Sequence, residues 1–191
     1  MLDQFSLSRI LEALPRLSIA LVGDLFLDKY LDLDSRLTEI SVETGLEAYQ
    51  VAKVRCYPGA GGTVLNNLTA LGIGKLHAVS VIGDDGEGFE LLRALGERGV
   101  DTSGVIVRQD RMTPAYTKPM LSQEPGPARE LNRLDIKNRT PAAPHNKPTH
   151  WYRCYSTLGA VDAERARSRS SATSTASIMA WPRSQPFAWS S

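Results

Sequence analysis

The pattern of apolar and polar residues in the first hundred positions alternates between two kinds of element. Apolar residues at helical spacing predict a first helix that Pro15 ends, and two compact apolar runs predict buried strands at Leu17–Val22 and 76–82. Two further stretches with helical periodicity, 62–71 and 86–98, follow glycine-rich turns. Strands that alternate with helices at this spacing predict an α/β layered sheet.

The pattern continues less regularly after the third predicted helix. Short apolar runs predict strands at 104–107, 115–121 and 129–135. Residues 30–57 alternate apolar and polar positions without helix caps, which predicts exposed strands and loops in the form of a flap.

The pattern ends at about residue 140. Residues 141–191 contain all three tryptophans and nine serines but show no sustained period of 2 or 3.6. They hold six basic and two acidic residues, a net charge of +4, whereas the first 140 residues carry a net charge of −3. Two interpretations remain open. One is a disordered basic tail; the other is translation in a shifted reading frame, which the high tryptophan content favours.

Composition excludes several classes of protein. The net charge of +1 over 191 residues gives no electrostatic reason to expect a nucleic acid or an anionic membrane as partner. Cys56 and Cys154 lie far apart, so neither a disulfide framework nor a zinc site is expected, and no histidine has metal-ligand spacing. The early apolar run at 19–22 is too short for a signal peptide or a membrane span. We expect a cytoplasmic protein.

A carboxylate follows the first predicted strand, in Val22-Gly-Asp-Leu-Phe-Leu-Asp-Lys-Tyr30. Ligands of open α/β sheets bind beyond the carboxyl ends of the strands, so Asp24 is a candidate acceptor for ligand hydroxyls. An equally good interpretation is that Asp24 caps a turn. Asp28 belongs to the same segment, either as a second candidate or as a first-turn residue of the next element.

A glycine-dense turn opens the helix at 62–71, in Pro58-Gly-Ala-Gly-Gly-Thr-Val-Leu-Asn-Asn-Leu-Thr-Ala-Leu-Gly72. Its spacing fits neither the P-loop nor the dinucleotide-binding glycine pattern. Glycines at 59, 61 and 62 let backbone N–H groups approach a hydroxylated ligand that a Cβ would block. Gly59, Gly61, Gly62 and Thr63 are therefore binding candidates, and the alternative is a tight strand-to-helix turn.

A second glycine–acid turn, Gly83-Asp-Asp-Gly-Glu-Gly88, opens the helix at 86–98. Asp84 and Asp85 resemble a paired-carboxylate site, but the positive end of a helix dipole favours negative charge. We therefore predict that they cap the helix.

These motifs, in this order and spacing, resemble the N-terminal part of the ribokinase-like (PfkB) carbohydrate kinases over about residues 17–139. The segment Gly-Asp-x-x-Leu-Asp-x-Tyr is most similar to the heptose kinases that feed ADP-heptose synthesis. The resemblance implies a Rossmann-like, mostly parallel sheet with flanking helices and a small β lid at about 30–57, which in relatives often mediates dimerisation. It also implies ATP-dependent phosphorylation of a sugar hydroxyl, with Mg²⁺ as a further cofactor.

The same resemblance assigns site residues. It implies that Asp24 and the glycine turn contact the sugar, with Thr63 at the position of an asparagine that binds substrate hydroxyls in relatives. Threonine supplies one hydroxyl where an amide reaches two groups, which affects sugar specificity. Ala60 replaces a second glycine. Weaker candidates are Asp28, Lys118 and Arg133, and neither Asn66 nor Asn67 is assigned as a ligand.

Such kinases take their catalytic base and anion hole from a segment reading roughly Asp-Thr-x-Gly-Ala-Gly-Asp. The 191 residues contain no such segment, so no catalytic residue is assigned. We expect residues 1–140 to form a truncated kinase domain without kinase activity. Two other functions remain open: a non-catalytic sugar-binding or regulatory module, and an interaction protein that uses the basic run at 165–169.

Overall fold

The computed structural model describes residues 3–122, 126–139 and 177–182. These residues form an α/β fold with two principal sheets. None of the helices in these ranges is long and apolar enough to cross a membrane. The helices are α1 (Gln4–Ala13), α2 (Gly61–Ala70) and α3 (Gly86–Gly96). The strands are β1 (Leu17–Val22), β2 (Leu25–Leu33), β3 (Glu39–Ile40), β4 (Glu47–Ala48), β5 (Val51–Ala60), β6 (Lys75–Gly83), β7 (Val100–Arg108), β8 (Ala115–Leu121), β9 (Arg129–Glu130), β10 (Leu134–Ile136) and β11 (Ser177–Pro182).

Three parallel strands form most of the first sheet, whose order is β11-β1-β6-β7. β1 pairs in parallel with β6, and β6 with β7. Both β1 and β6 are buried over almost their whole length, which is typical of parallel strands that are covered on both faces. The mostly parallel sheet with flanking helices that the sequence predicted is confirmed.

The second sheet, which we call the lid sheet, has the order β10-β8-β2-β5, with β9 paired to β8. Its central strand β2 pairs antiparallel with β5 and parallel with β8. The predicted flap at 30–57 is therefore only part of this sheet, because β8, β9 and β10 come from later in the chain. The two-stranded pair β3–β4 lies in the connection between β2 and β5.

One leucine-rich core joins the two sheets to α2 and α3. Leu21 of β1, Leu27 of β2, Leu65 of α2, and Leu91 and Leu95 of α3 are fully buried in it. Burial of a leucine side chain stabilises a fold by about 1.5–3 kcal/mol. The lid sheet is therefore held to the rest of the molecule by packing as well as by the chain.

Two strands differ from the sequence prediction. β7 begins at Val100, earlier than predicted, because Val100 already pairs with Leu76 of β6. The predicted strand at 129–135 is divided into β9 and β10. Pro119 of β8 has no N–H group, so it cannot continue the ladder at this point. Its carbonyl instead accepts a hydrogen bond from the Leu131 amide at 2.9 Å.

The C-terminal segment contains one described element, β11. This strand pairs antiparallel with the whole of β1, from Leu17 opposite Pro182 to Val22 opposite Ser177. These six residues belong to the segment in which the sequence shows no period. Strand pairing on an edge needs only backbone groups and no periodic sequence. The other residues of the segment lie outside the described ranges.

Of the two carboxylates predicted to cap helix α3, Asp85 is the N-cap residue and Asp84 is not. The Asp85 carboxylate accepts hydrogen bonds from the amides of Gly88 at 2.8 Å and of Thr113 at 2.7 Å. Partial burial raises the pKa of Asp85, but these hydrogen bonds outweigh it and the net pKa is lowered. Asp84 is exposed, and its carboxylate lies 3.5 Å from the Gln109 amide. The two carboxylates therefore have separate environments and do not form a paired site.

We predict that Asp85→Ala lowers the free energy of unfolding by about 1–2 kcal/mol, because the helix and the Thr113 amide both lose an acceptor. Asp84→Ala is the matched control and should stay within about 0.5 kcal/mol of the wild type. Urea denaturation at pH 7 measures both. Because the pKa of folded Asp85 is lowered, its contribution is present at neutral pH and lost as the pH falls below about 4. Equal effects of the two variants on the free energy of unfolding would contradict the assignment of Asp85 as the cap of α3.

Candidate functional site

The strand registers gather polar and aromatic side chains on one face of the lid sheet. Alternate residues of a strand lie on the same face. In the β2–β5 pair, Asp28 lies opposite Tyr57 and Tyr30 opposite Arg55. On the other side of β2, Lys118 of β8 lies opposite Tyr30. We call these five residues the polar lid face.

Lys118 and Asp28 form the central ion pair of the polar lid face. Lys118 Nζ donates hydrogen bonds to Asp28 Oδ1 at 2.6 Å and to the Tyr30 hydroxyl at 3.1 Å. The two charged side chains are only 16% and 21% exposed. Partial burial lowers the pKa of Lys118, but the hydrogen bonds to Asp28 and Tyr30 outweigh it and the net pKa is raised. Lys118 is therefore a cation at neutral pH that orients the Asp28 carboxylate.

Arg55 forms a second ion pair beside the first. Its guanidinium donates to both carboxylate oxygens of Asp32, at 2.8 and 2.7 Å. The hydrogen bond to Asp32 raises the pKa of Arg55, and the same bond lowers the pKa of Asp32. The guanidinium also lies 4.9 Å from the centre of the Tyr30 ring, which in turn meets the Tyr57 ring edge to face. Bidentate pairing and ring packing together hold Arg55 in one orientation.

A pocket of about 330 Å³ opens between the polar lid face and helix α2. The lid sheet supplies a carboxylate, a guanidinium and two aromatic rings to its wall, and α2 supplies a hydroxyl and an amide. A second guanidinium comes from the turn after α3. The lining residues are Asp28, Tyr30, Arg55, Tyr57, Pro58, Thr63, Asn66 and Arg98.

The side of the pocket opposite the lid is built by polar residues of α2 and by Arg98. Thr63 and Asn66 are three residues apart, so they lie on the same face of the helix. Arg98 Nε donates a hydrogen bond to Asn66 Oδ1 at 3.1 Å. The other end of the guanidinium donates to the Ala94 carbonyl at 2.5 Å, which ties the pocket wall to α3.

The glycines of the turn are required for packing. A Cβ on Gly59 would lie 2.1 Å from the Phe26 ring and 2.7 Å from an Asp28 oxygen. A Cβ on Gly61 would lie 2.6 Å from Leu21, and one on Gly62 2.3 Å from Pro58. Protein atoms already fill the space beside these three glycines. The absence of a Cβ at the three glycines allows β5, β2 and the start of α2 to approach one another.

Ala60 lies in an unfavourable backbone conformation at the start of α2. Its φ of 50° and ψ of −118° fall in a region of backbone conformation that residues with a Cβ rarely adopt. The family resemblance implies glycine at this position, and glycine reaches this region without strain. The strain persists because the chain on both sides is held: Ala60 pairs with Leu25 in the lid sheet, and the Gly61 amide donates to the Asp24 carbonyl at 3.2 Å.

The structure brings three of the predicted site residues together. Asp28 and Thr63 line the pocket, and Lys118 binds Asp28. Asp24 lies in the turn between β1 and β2 with an exposed side chain, and it does not line this pocket. Within the described part of the chain, its contact with the glycine turn is the carbonyl bond to Gly61.

Arg133 lies apart from the pocket, at the β10 side of the lid sheet. Its guanidinium stacks on the Tyr116 ring, 4.4 Å from the ring centre, and donates to Asp135 Oδ1 at 2.6 Å. The hydrogen bond to Asp135 raises the pKa of Arg133. Asp135 also pairs with Lys137 at 2.9 Å. Arg133 thus belongs to a small charged cluster around Tyr116.

Sequence reasoning missed most of the residues that line the pocket. Period-2 alternation on β2 and β5 was the available signal for Tyr30, Arg55 and Tyr57, but it does not identify which strands pair. Asn66 was not assigned as a ligand, although it lies one helical turn from Thr63. Arg98 had no signal in the sequence, because its position depends on how α3 packs beside α2.

Comparisons with known proteins identify relatives of the N-terminal part of the chain. No family model matches it. The bifunctional protein HldE of Pelobacter propionicus is 31% identical over 140 residues, which is 73% of this chain and 27% of the relative. HldE of Geobacter metallireducens is 35% identical over 120 residues, 63% of this chain and 23% of the relative. The chain therefore spans about a quarter of the length of these relatives.

Solved structures of similar shape are sugar and nucleoside kinases. A carbohydrate kinase from Agrobacterium tumefaciens matches 60% of this chain and 34% of its own, with 19% identity and a TM-score of 0.44. A nucleoside kinase from Methanocaldococcus jannaschii, described as an archaeal member of the ribokinase family, matches 61% and 36%, with 18% identity and a TM-score of 0.39.

The fold and the motifs point to one class of protein: the N-terminal part of the chain resembles the ribokinase-like carbohydrate kinases. The resemblance predicted from the sequence is confirmed by the curated relatives. Over this part the chain is homologous to the bifunctional HldE proteins.

We predict that Ala60→Gly raises the free energy of unfolding by about 1 kcal/mol, because relief of the backbone strain exceeds the entropy that glycine adds to the unfolded chain. Ala70→Gly, at the end of the same helix, is the matched control and should lower it by up to about 1 kcal/mol. Urea denaturation measures both variants. A loss of stability in Ala60→Gly as large as in the control would contradict the strain at residue 60.

Proposed function

We propose that the pocket between the polar lid face and α2 is the sugar site of a carbohydrate kinase domain. The observation that supports this most strongly is the meeting of the Asp28–Lys118 pair and the Thr63 hydroxyl at one pocket. Asp28 and Lys118 come from different strands and Thr63 from a helix, so their convergence is a property of the fold.

The groups that line the pocket match the chemistry of a monosaccharide. A sugar presents hydroxyls that both donate and accept hydrogen bonds, together with apolar C–H faces. Asp28 accepts, Arg55 donates, and Thr63 does both. The rings of Tyr30 and Tyr57 supply apolar surface for the C–H faces. The volume of about 330 Å³ lies at the lower end of the range for small-molecule sites, which suits a single sugar of the heptose class.

The reaction proposed for the whole protein is ATP-dependent phosphorylation of a sugar hydroxyl, as the family resemblance implies. Among the described residues, no three acidic, histidine or cysteine side chains cluster as metal ligands. No step through a nucleotide or a metal is therefore derived from this chain. Its own residues bind and orient the sugar. A cytoplasmic location belongs to the same proposal, because the reaction draws on cytoplasmic ATP.

We further propose that the 191-residue chain binds sugar without phosphorylating it. A positioned base contributes about 10²–10⁴-fold to such a reaction, and each anion-hole donor about 10²–10³-fold. The segment that supplies both in the resembled family is not found in the 191 residues. This favours a sugar-binding role for the chain in this form.

The lid sheet is also the proposed site of homodimerisation. In the sheet order β10-β8-β2-β5, β5 is an edge strand, and several apolar side chains around β3, β4 and β5 are exposed. Val42 is fully exposed, and Ile40 and Leu46 are about two-thirds exposed. An open strand edge beside exposed apolar side chains favours pairing with a second copy.

Sugar binding is tested by the stability of the chain with D-ribose, D-fructose, D-mannose or D-mannoheptulose. At a hundredfold excess over its Kd, a bound sugar should raise the free energy of unfolding by about 2.7 kcal/mol, and ATP should not. Thr63→Ala should weaken binding about 3- to 10-fold through loss of one hydrogen bond, whereas Thr69→Ala on the same helix should leave it unchanged. Stabilisation by none of these sugars would overturn the proposal. ADP release above a no-enzyme control, with ATP, Mg²⁺ and sugar, would overturn the proposal that the chain does not phosphorylate the sugar.

Dimerisation is tested by light scattering at micromolar concentration. The wild type should behave as a dimer and Val42→Asp as a monomer, because a charge in the apolar contact opposes pairing. Leu7→Asp introduces the same charge on an exposed apolar residue of α1 and should leave the dimer intact. A monomeric wild type, or a Val42→Asp variant that remains dimeric, would contradict the lid interface.

A further inference from the structure

We propose that Asn66 is a sugar-binding residue whose amide replaces the one that Thr63 lacks, and that Arg98 is the positioning residue that orients this amide. The inference deepens the proposed function and rests on the pocket being a sugar site. It differs from the assignment at Thr63 because Asn66 lies one turn further along α2, where no ligand was expected.

The placement of Asn66 is the first support. Thr63 and Asn66 lie on the same face of α2 and both line the pocket. Asn67, the next residue, is exposed and does not line it. The side chain at 66 therefore faces the same space as the threonine hydroxyl, at a distance of about one helical turn, or roughly 5 Å.

The bond between Arg98 and Asn66 fixes which end of the amide is available. A guanidinium has five N–H donors and no acceptor, so the group that faces it must be the amide oxygen. Arg98 Nε donates to Asn66 Oδ1 at 3.1 Å. The NH₂ group of Asn66 is therefore turned away from Arg98, and it makes no hydrogen bond within the described residues. It is left to donate two hydrogen bonds to the hydroxyl oxygens of a ligand.

Arg98 is itself held in place, so the amide is oriented before a ligand binds. The same guanidinium donates to the Ala94 carbonyl at 2.5 Å, and the Arg98 amide donates to the Leu95 carbonyl at 3.1 Å. The Arg98 side chain is thus held by its bonds to the Ala94 carbonyl and to Asn66, and an amide that is oriented beforehand loses little freedom on binding. The α2 side of the pocket then offers a hydroxyl from Thr63 and two donors from Asn66.

Asn66→Asp is the sharpest test of this role. The aspartate keeps an acceptor for Arg98, so the fold should persist, but it removes both N–H donors. We expect the Kd of the tightest-binding sugar of the panel above to rise about 10-fold, with the melting temperature unchanged or higher. Asn67→Asp adds the same charge one residue further along and should bind as the wild type does. Thr63→Asn in the Asn66→Asp background should restore most of the affinity.

Arg98 is tested by substitutions that keep or remove its hydrogen bond. Lysine is also a donor without an acceptor, so Arg98→Lys should retain near wild-type affinity, whereas Arg98→Met should weaken binding about 3-fold. An Arg98→Met variant with a lower melting temperature and unchanged Kd would show a merely structural role. It would overturn the proposal that Arg98 orients the Asn66 amide.

The outcomes separate the two proposals. A wild type that binds no sugar of the panel overturns the proposed function and this inference with it. A wild type that binds sugar, together with an Asn66→Asp variant of equal affinity, overturns the inference and leaves the proposed function standing.

Discussion

The pairing of β2 with β5 on one side and β8 on the other is the constraint on which the rest of the structure depends. β2 presents Leu25 and Leu27 to the core and Asp28 and Tyr30 to the opposite face. Side chains alternate with a period of two, so a shift of the register by one residue would exchange the faces. It would expose leucine and bury the Asp28–Lys118 pair. The core therefore holds the pocket in register, and neither can change without the other.

The charges of the polar lid face are paired within the protein before any ligand binds. Lys118 forms an ion pair with Asp28, and Arg55 forms one with Asp32. Burial of a charge without a partner costs several kcal/mol, so these pairs make a half-buried polar face compatible with a folded sheet. They also hold each group still, which leaves a rigid set of donors and acceptors at the pocket. A sugar then adds hydrogen bonds to groups whose orientation is already set.

Elements with strong local signals were predicted well, and contacts between distant segments were not. The three helices follow from apolar periodicity and the strands β1 and β6 from compact apolar runs. The Asp85 cap follows from the preference of helix N-termini for carboxylates. The pocket wall from Arg55, Tyr57 and Arg98 was missed, because it depends on which strands pair and how α3 packs. β11 was missed as well, since it pairs with β1 through backbone groups that leave no periodic trace in the sequence.

By itself the sequence determined the alternation of strands and helices, the glycine turn before α2 and the resemblance to carbohydrate kinases. All three depend on residues that are close together in the chain, where local sterics and hydrogen bonding decide the conformation. The tertiary structure alone decided that Asp28 meets Lys118, ninety residues later, and that Asn66 meets Arg98. Those contacts arise from strand register and helix packing, which sum many weak interactions across the whole core and appear in no single segment of the chain.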